Sequence, residues 1–106
     1  MQVATELIHL TLHEACRECE QYSEAIVTAI HNVDNAVRSA ADREHFEALY
    51  REMTMRISNV VMTTLDEDAS YTLYDVMLML YARMQHPVAV LYPGATCVPD
   101  NRLYFA

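Results

Sequence analysis

The first 86 residues of this chain contain neither glycine nor proline. Gly94, Pro87, Pro93 and Pro99 are the only residues of those two types, and all four fall in the last fifth of the sequence. Strands joined by tight turns need such residues at their corners, because only they supply positive φ or a preset bend cheaply. A breaker-free run of this length therefore restricts the fold class to all-α, with any irregular backbone confined to the C-terminal end.

Apolar spacing divides the run into three helices. In the first, about residues 3–38, Leu12, Cys19, Ile26 and Val33 recur every seven residues, and Ile8, Ala15, Tyr22, Ala29 and Ala36 fill the position between. The opposite side carries Glu14, Arg17, Glu18, Glu24, His31 and Arg38. Ser23 and Asp34, both capping types, mark the places where this helix would break. The string Ser39-Ala-Ala-Asp42 reads as a capping box opening a second helix, about residues 40–65, with Phe46, Tyr50, Met53 and Ile57 on its apolar face. Acids favour a helix N-terminus, so Asp66, Glu67 and Asp68 introduce a third helix, about residues 71–85, capped by Ser70 or Thr72 and ending before Pro87. The tail, residues 87–106, reads as an extended stretch at 88–92, turns at Pro93-Gly94 and Pro99-Asp100, and an apolar end at residues 103–105.

These lengths are unequal. A continuous first helix of about 35 residues would reach about 52 Å and overhang its partners in one chain. A second copy would cover the overhang, so the expectation is a long helical hairpin plus a shorter helix in a homodimer. Its interface would be the seam of Leu12, Cys19, Ile26 and Val33.

Charge removes several function classes. The net charge is −8 and the seven basic residues, all arginine, are scattered. Neither nucleic acid nor an anionic membrane is an expected direct partner. The same interleaved arginines argue against a DNA mimic. There is no apolar run of about 20 residues to span a bilayer and no basic leader ahead of Glu6. With three cysteines, this points to free thiols and a cytoplasmic location.

Chemistry-bearing groups are few. His9, His13, Cys16 and Glu20 share one arc of the first helix and are all zinc-ligand types. One straight helix cannot surround a tetrahedral ion, so no metal and no cofactor is expected; a metal-binding bundle on these four residues is the alternative. Cys16-Arg-Glu-Cys19 has C-x-x-C spacing but lies mid-helix with no strand before it, unlike redox pairs. The cluster at Asp66 lacks the glycine and glutamate of a calcium loop, and Tyr71 and Met77 stand at those places. No nucleophile, base or phosphate-loop motif occurs, and the chain is not expected to be an enzyme.

What is in excess is apolar surface. On the third helix, Leu73, Val76, Met77, Leu80 and Met84 form one face, while Tyr71, Tyr74, Leu78 and Tyr81 form a second stripe beside it, of which Tyr74, Leu78 and Tyr81 are the expected contacts. Met55 and Met62, two turns apart, lie opposite the core face of the second helix, and Leu91 and Tyr92 in the tail would extend the patch. Methionine and tyrosine are the adaptable and anchoring residues of interfaces. The expected function is that of a small acidic regulator that binds another protein. By analogy of architecture with bacterial antiactivators and phage-encoded inhibitors, it would occlude a regulatory or nucleic-acid-binding partner. A structural homo-oligomer without external target is the other reading.

Overall fold

A computed structural model describes residues 2–95 and 97, apart from the side chain of Gln2. Four helices follow in chain order: α1 Gln2–Cys19, α2 Glu24–Arg38, α3 Arg43–Thr63 and α4 Glu67–Leu91. Among the described residues there is no strand. Each helix packs against its neighbours in sequence, and α4 closes the ring against α1. The body measures 40 × 27 × 20 Å, so its long axis matches the single 25-residue helix α4 at about 37 Å.

The long first helix is two helices. The Tyr22 and Ser23 amides both bond the Cys19 carbonyl, at 2.9 and 3.0 Å, and close α1. Ser23 then takes extended backbone, and its Oγ accepts the Ile26 amide at 3.3 Å to start α2. Of the two candidate break points, the serine serves as N-cap. Asp34 stays helical and binds side chains instead.

The seam consequently folds back on itself. Leu12, Cys19, Ile26 and Val33 are all buried inside this one chain, at 1 % exposure or less. The expectation that they face a sister subunit is corrected: the seven-residue repeat runs along α1, which packs on α4, and returns along α2, which packs on α3. With no overhanging rod, the geometric case for a second chain at these four residues is gone.

Between α2 and α3 the expected capping box does other work. Ser39 closes α2, and Ala40 sits at φ +54. The Ala41 amide reaches the Ala36 carbonyl at 2.9 Å and the Ala40 amide the Val37 carbonyl at 3.1 Å. These are the two crossed bonds of a Schellman turn. Asp42 is the N-cap of α3, its Oδ1 accepting the His45 amide at 2.8 Å.

The last helix is longer than its sequence implies at both ends. Asp66 caps it, with Oδ1 accepting the amides of Asp68 and Ala69 at 3.0 and 3.2 Å, so the acidic residues occupy the first turn. At the far end α4 runs through Pro87 to Leu91 with Tyr92 as its C-cap, so the expected extended stretch at 88–92 is corrected to helix over 88–91. Proline removes one amide and crowds the preceding turn. Here burial outweighs that loss: Val88 is fully buried and Tyr92 stacks on Phe46 of α3. The Pro93-Gly94 turn does form, with the Ala95 amide on the Tyr92 carbonyl at 2.9 Å and Gly94 at φ +85. The apolar end expected at residues 103–105 lies outside the described residues.

Candidate functional site

Helical phase settles which of the proposed contact residues share a surface. On α3, residues 44, 48, 51, 55, 59 and 62 recur at three- and four-residue steps. On α4, residues 67, 71, 74, 78, 81 and 85 do the same. The two helices are antiparallel neighbours. The Ser70 hydroxyl donates to the Val61 carbonyl at 3.4 Å, which fixes the flanks that meet. Thr54 and Ser58 are buried on that flank of α3, and their small side chains let α4 approach. Both stripes therefore turn outward on one side of the bundle, next to each other.

Met55, Met62, Leu78 and Tyr81 of this surface are exposed, between 40 and 53 %, and Tyr74 is half-buried. Tyr71, two turns before Leu78 on the same stripe, is more open than any of them at 71 %. The surface thus gathers five of the seven expected contact residues and adds Tyr71. Leu91 and Tyr92 do not join it. Tyr92 is buried, and Leu91 is half-buried beside it, because the helix continues past Pro87 and turns both inward. Glu44 and Glu67, both exposed, stand at the ends of the two stripes, and Arg51 lies within the α3 stripe.

A second apolar strip passed unnoticed in the sequence. Val3, Leu7 and Leu10 of α1 and Val90 of α4 are exposed on the other side of α4. Their i, i+4, i+7 spacing on α1 was visible, but it lay inside a helix whose seven-residue seam dominated the pattern. An Arg83–Glu14 ion pair ties the same two helices together.

The histidine cluster of α1 meets α2. The His9 ring lies with Nδ1 3.1 Å from the Asp34 carboxylate, and Arg38 Nη2 lies 2.7 Å from Nδ1 and 2.9 Å from Nε2. Arg38 also binds Asp34 at 3.0 Å. Cys16 Sγ lies 3.5 Å from His31 Nε2. His13 stands next to His9, ring centroids 6.4 Å apart. Glu20 lies past the end of α1. No three His, Cys, Asp or Glu side chains among the described residues are gathered closely enough to enclose an ion as they stand.

The three cysteines are free thiols. Burial pushes Cys19 up to about 12, with Cys16 and Glu18 adding to it, and pushes Cys97 up to about 11, with Glu47 adding. Cys16 is raised too, by burial and then by Glu20. A redox pair needs a lowered thiol pKa, and the surroundings of Cys16 and Cys19 act in the opposite sense.

Two clefts lie elsewhere. One, of about 620 Å³, is lined by Thr5, His9, Arg38, Leu91 and Tyr92 among others. The other, of about 670 Å³, runs along α1 past Leu7, Leu10 and Arg83. Neither includes the methionines or tyrosines of the α3–α4 surface. No helix among the described residues is long and apolar enough to cross a membrane. Comparison with known proteins gives no relative: no protein family, curated protein or solved structure matches the chain.

Proposed function

We propose that this chain is a protein-binding regulator, an inhibitor or antiactivator, whose α3–α4 surface covers a basic face of a regulatory or nucleic-acid-binding protein. One observation carries the reading: Met55, Met62, Tyr71, Leu78 and Tyr81 stay exposed together on two adjacent helices. Contiguous exposed apolar side chains of this kind mark interaction sites in soluble proteins. Tyrosine tolerates water when free and gains on burial through its ring. The partner's chemistry follows from charge. A net −8 chain with Glu44 and Glu67 at the ends of the surface attracts a cationic face and speeds encounter with it. The site of action is the cytoplasm, where the three thiols remain reduced.

The test uses a partner isolated on the intact chain and then purified. Its binding should weaken about 5- to 150-fold with Tyr74→Ala or Tyr81→Ala, equivalent to about 1–3 kcal/mol for central anchor residues. Binding should also weaken as salt is raised. Unchanged affinity in both variants overturns the reading.

A homodimer is the second reading, now on a different side of α1. Val3, Leu7, Leu10 and Val90 are exposed together, and they are bordered by both signs of charge in Glu14, Arg17 and Arg83. A mixed border suits pairing with an identical surface. Light scattering at micromolar concentration distinguishes dimer from monomer, and Leu7→Glu with Leu10→Glu should leave only monomer.

A further inference from the structure

α1 alone could not surround an ion, but α2 brings a second set of donors to it. Cys16 Sγ and His31 Nε2 face each other at 3.5 Å across the α1–α2 seam. Zinc binds thiolate sulfur at about 2.3 Å and imidazole nitrogen at about 2.0–2.1 Å, so two corners of its tetrahedron lie about 3.5 Å apart. The pair already has the separation it would have on one ion. A small cavity of about 120 Å³ opens at this point, with Leu12 and Ile30 as its apolar lining and His13, Cys16 and His31 among its polar walls. His13 is one turn before Cys16, exposed, and already on the cavity wall beside His9, so a change of its side-chain rotamer would bring its ring to the pair. His9 is differently placed, since Asp34 and Arg38 hold both its ring nitrogens.

We propose that Cys16 and His31, joined by His13, bind a divalent ion of the zinc class, with solvent in the fourth position. The thiol proton leaves to water as the sulfur coordinates, and the two imidazoles bind neutral. Two donors are preset and the third closes by a side-chain rotation, which is why no three-donor group stands assembled beforehand. The ion pins α1 to α2. The site lies away from the α3–α4 surface, so it stands or falls independently of the regulator reading.

The experiment titrates cobalt(II), then zinc, into the full chain purified without a histidine tag. A thiolate-to-cobalt charge-transfer band should saturate at one equivalent, and zinc should raise the melting temperature. The band should vanish in Cys16→Ser, and affinity should fall at least about tenfold in His31→Ala and His13→Ala. Cys19→Ala should bind as the unmodified chain does, because that thiol points into the core and the C-x-x-C spacing is not the chelate. His31 and His13 are exposed, so their variants keep the fold. Absence of both the band and the melting shift in the unmodified chain, or full binding by Cys16→Ser, overturns the site and leaves a thiol–imidazole hydrogen bond.

Discussion

Tyr92 lies face to face with Phe46, ring centroids 4.6 Å apart and planes 15° from parallel. Phe46 in turn stacks on Tyr50 one turn along α3. The stack joins the end of α4 to the start of α3 and holds the segment beyond Pro87 in helical form. Removing a buried aromatic ring costs about 3–5 kcal/mol through lost transfer energy and the cavity left behind. Tyr92→Ala should therefore lower stability by about that amount in denaturant titration. A loss below about 1 kcal/mol would show that the helix end does not depend on this pair.

Ala40 occupies a left-handed conformation at φ +54. An L-residue there is strained by about 1–2 kcal/mol relative to glycine, partly offset by the greater freedom of glycine when unfolded. Ala40→Gly should raise stability by about 0.5–1 kcal/mol, and Ala40→Val should reduce it. Thermal melts of the two variants check the sign. Glycine leaving stability unchanged or lower would contradict the turn geometry.

Val33 and Ile26 have no exposed surface. A carboxylate introduced there has no partner in the core and must be buried or neutralised. Val33→Glu and Ile26→Glu should abolish the far-ultraviolet helical signal or leave insoluble chain. A soluble, fully helical monomer from either would restore these residues to a subunit interface.

The thiols set a limit at alkaline pH. Cys19 and Cys97 titrate at about 12 and about 11 in the fold, above their ordinary value of 9.0. The neutral thiol is the form the fold prefers, so its contribution is complete below about pH 9 and drains as pH rises through the folded values. Stability should be flat near neutrality and fall between about pH 9 and about 12. The fall should be shallower in Cys19→Ala, and identical slopes in the two chains would remove the thiols as its cause.

Much of the core was legible because burial repeats at the helical period. Phe46, Met53, Ile57, Leu73 and Met84 were readable as inward from spacing alone, and all are buried, whereas Leu12 and Ile26 were readable as an apolar seam but not as facing their own chain. Ser23 was legible as a break point but not as the actual one, since a cap competes with the apolar repeat that runs straight across it. Pro87 misled for the opposite reason: local backbone preference stops a helix there, and the packing of Val88 and Tyr92, invisible in sequence, overrides it. For the site, phase within a helix was readable and yielded Tyr74, Leu78 and Tyr81. The meeting of Cys16 with His31 was not, because it depends on α2 turning back at residues 20–23.

All three connections are short, at residues 20–23, 39–42 and 64–66, and each joins helices that pack on each other. The α1–α4 seam brings together the segments farthest apart in the chain, as the Arg83–Glu14 pair does. Forming it closes the longest loop and returns little until the hairpins exist. Folding should then begin in the two hairpins, α1–α2 and α3–α4, and finish when they dock. The Arg83–Glu14 seam would be the place where the native molecule first comes apart.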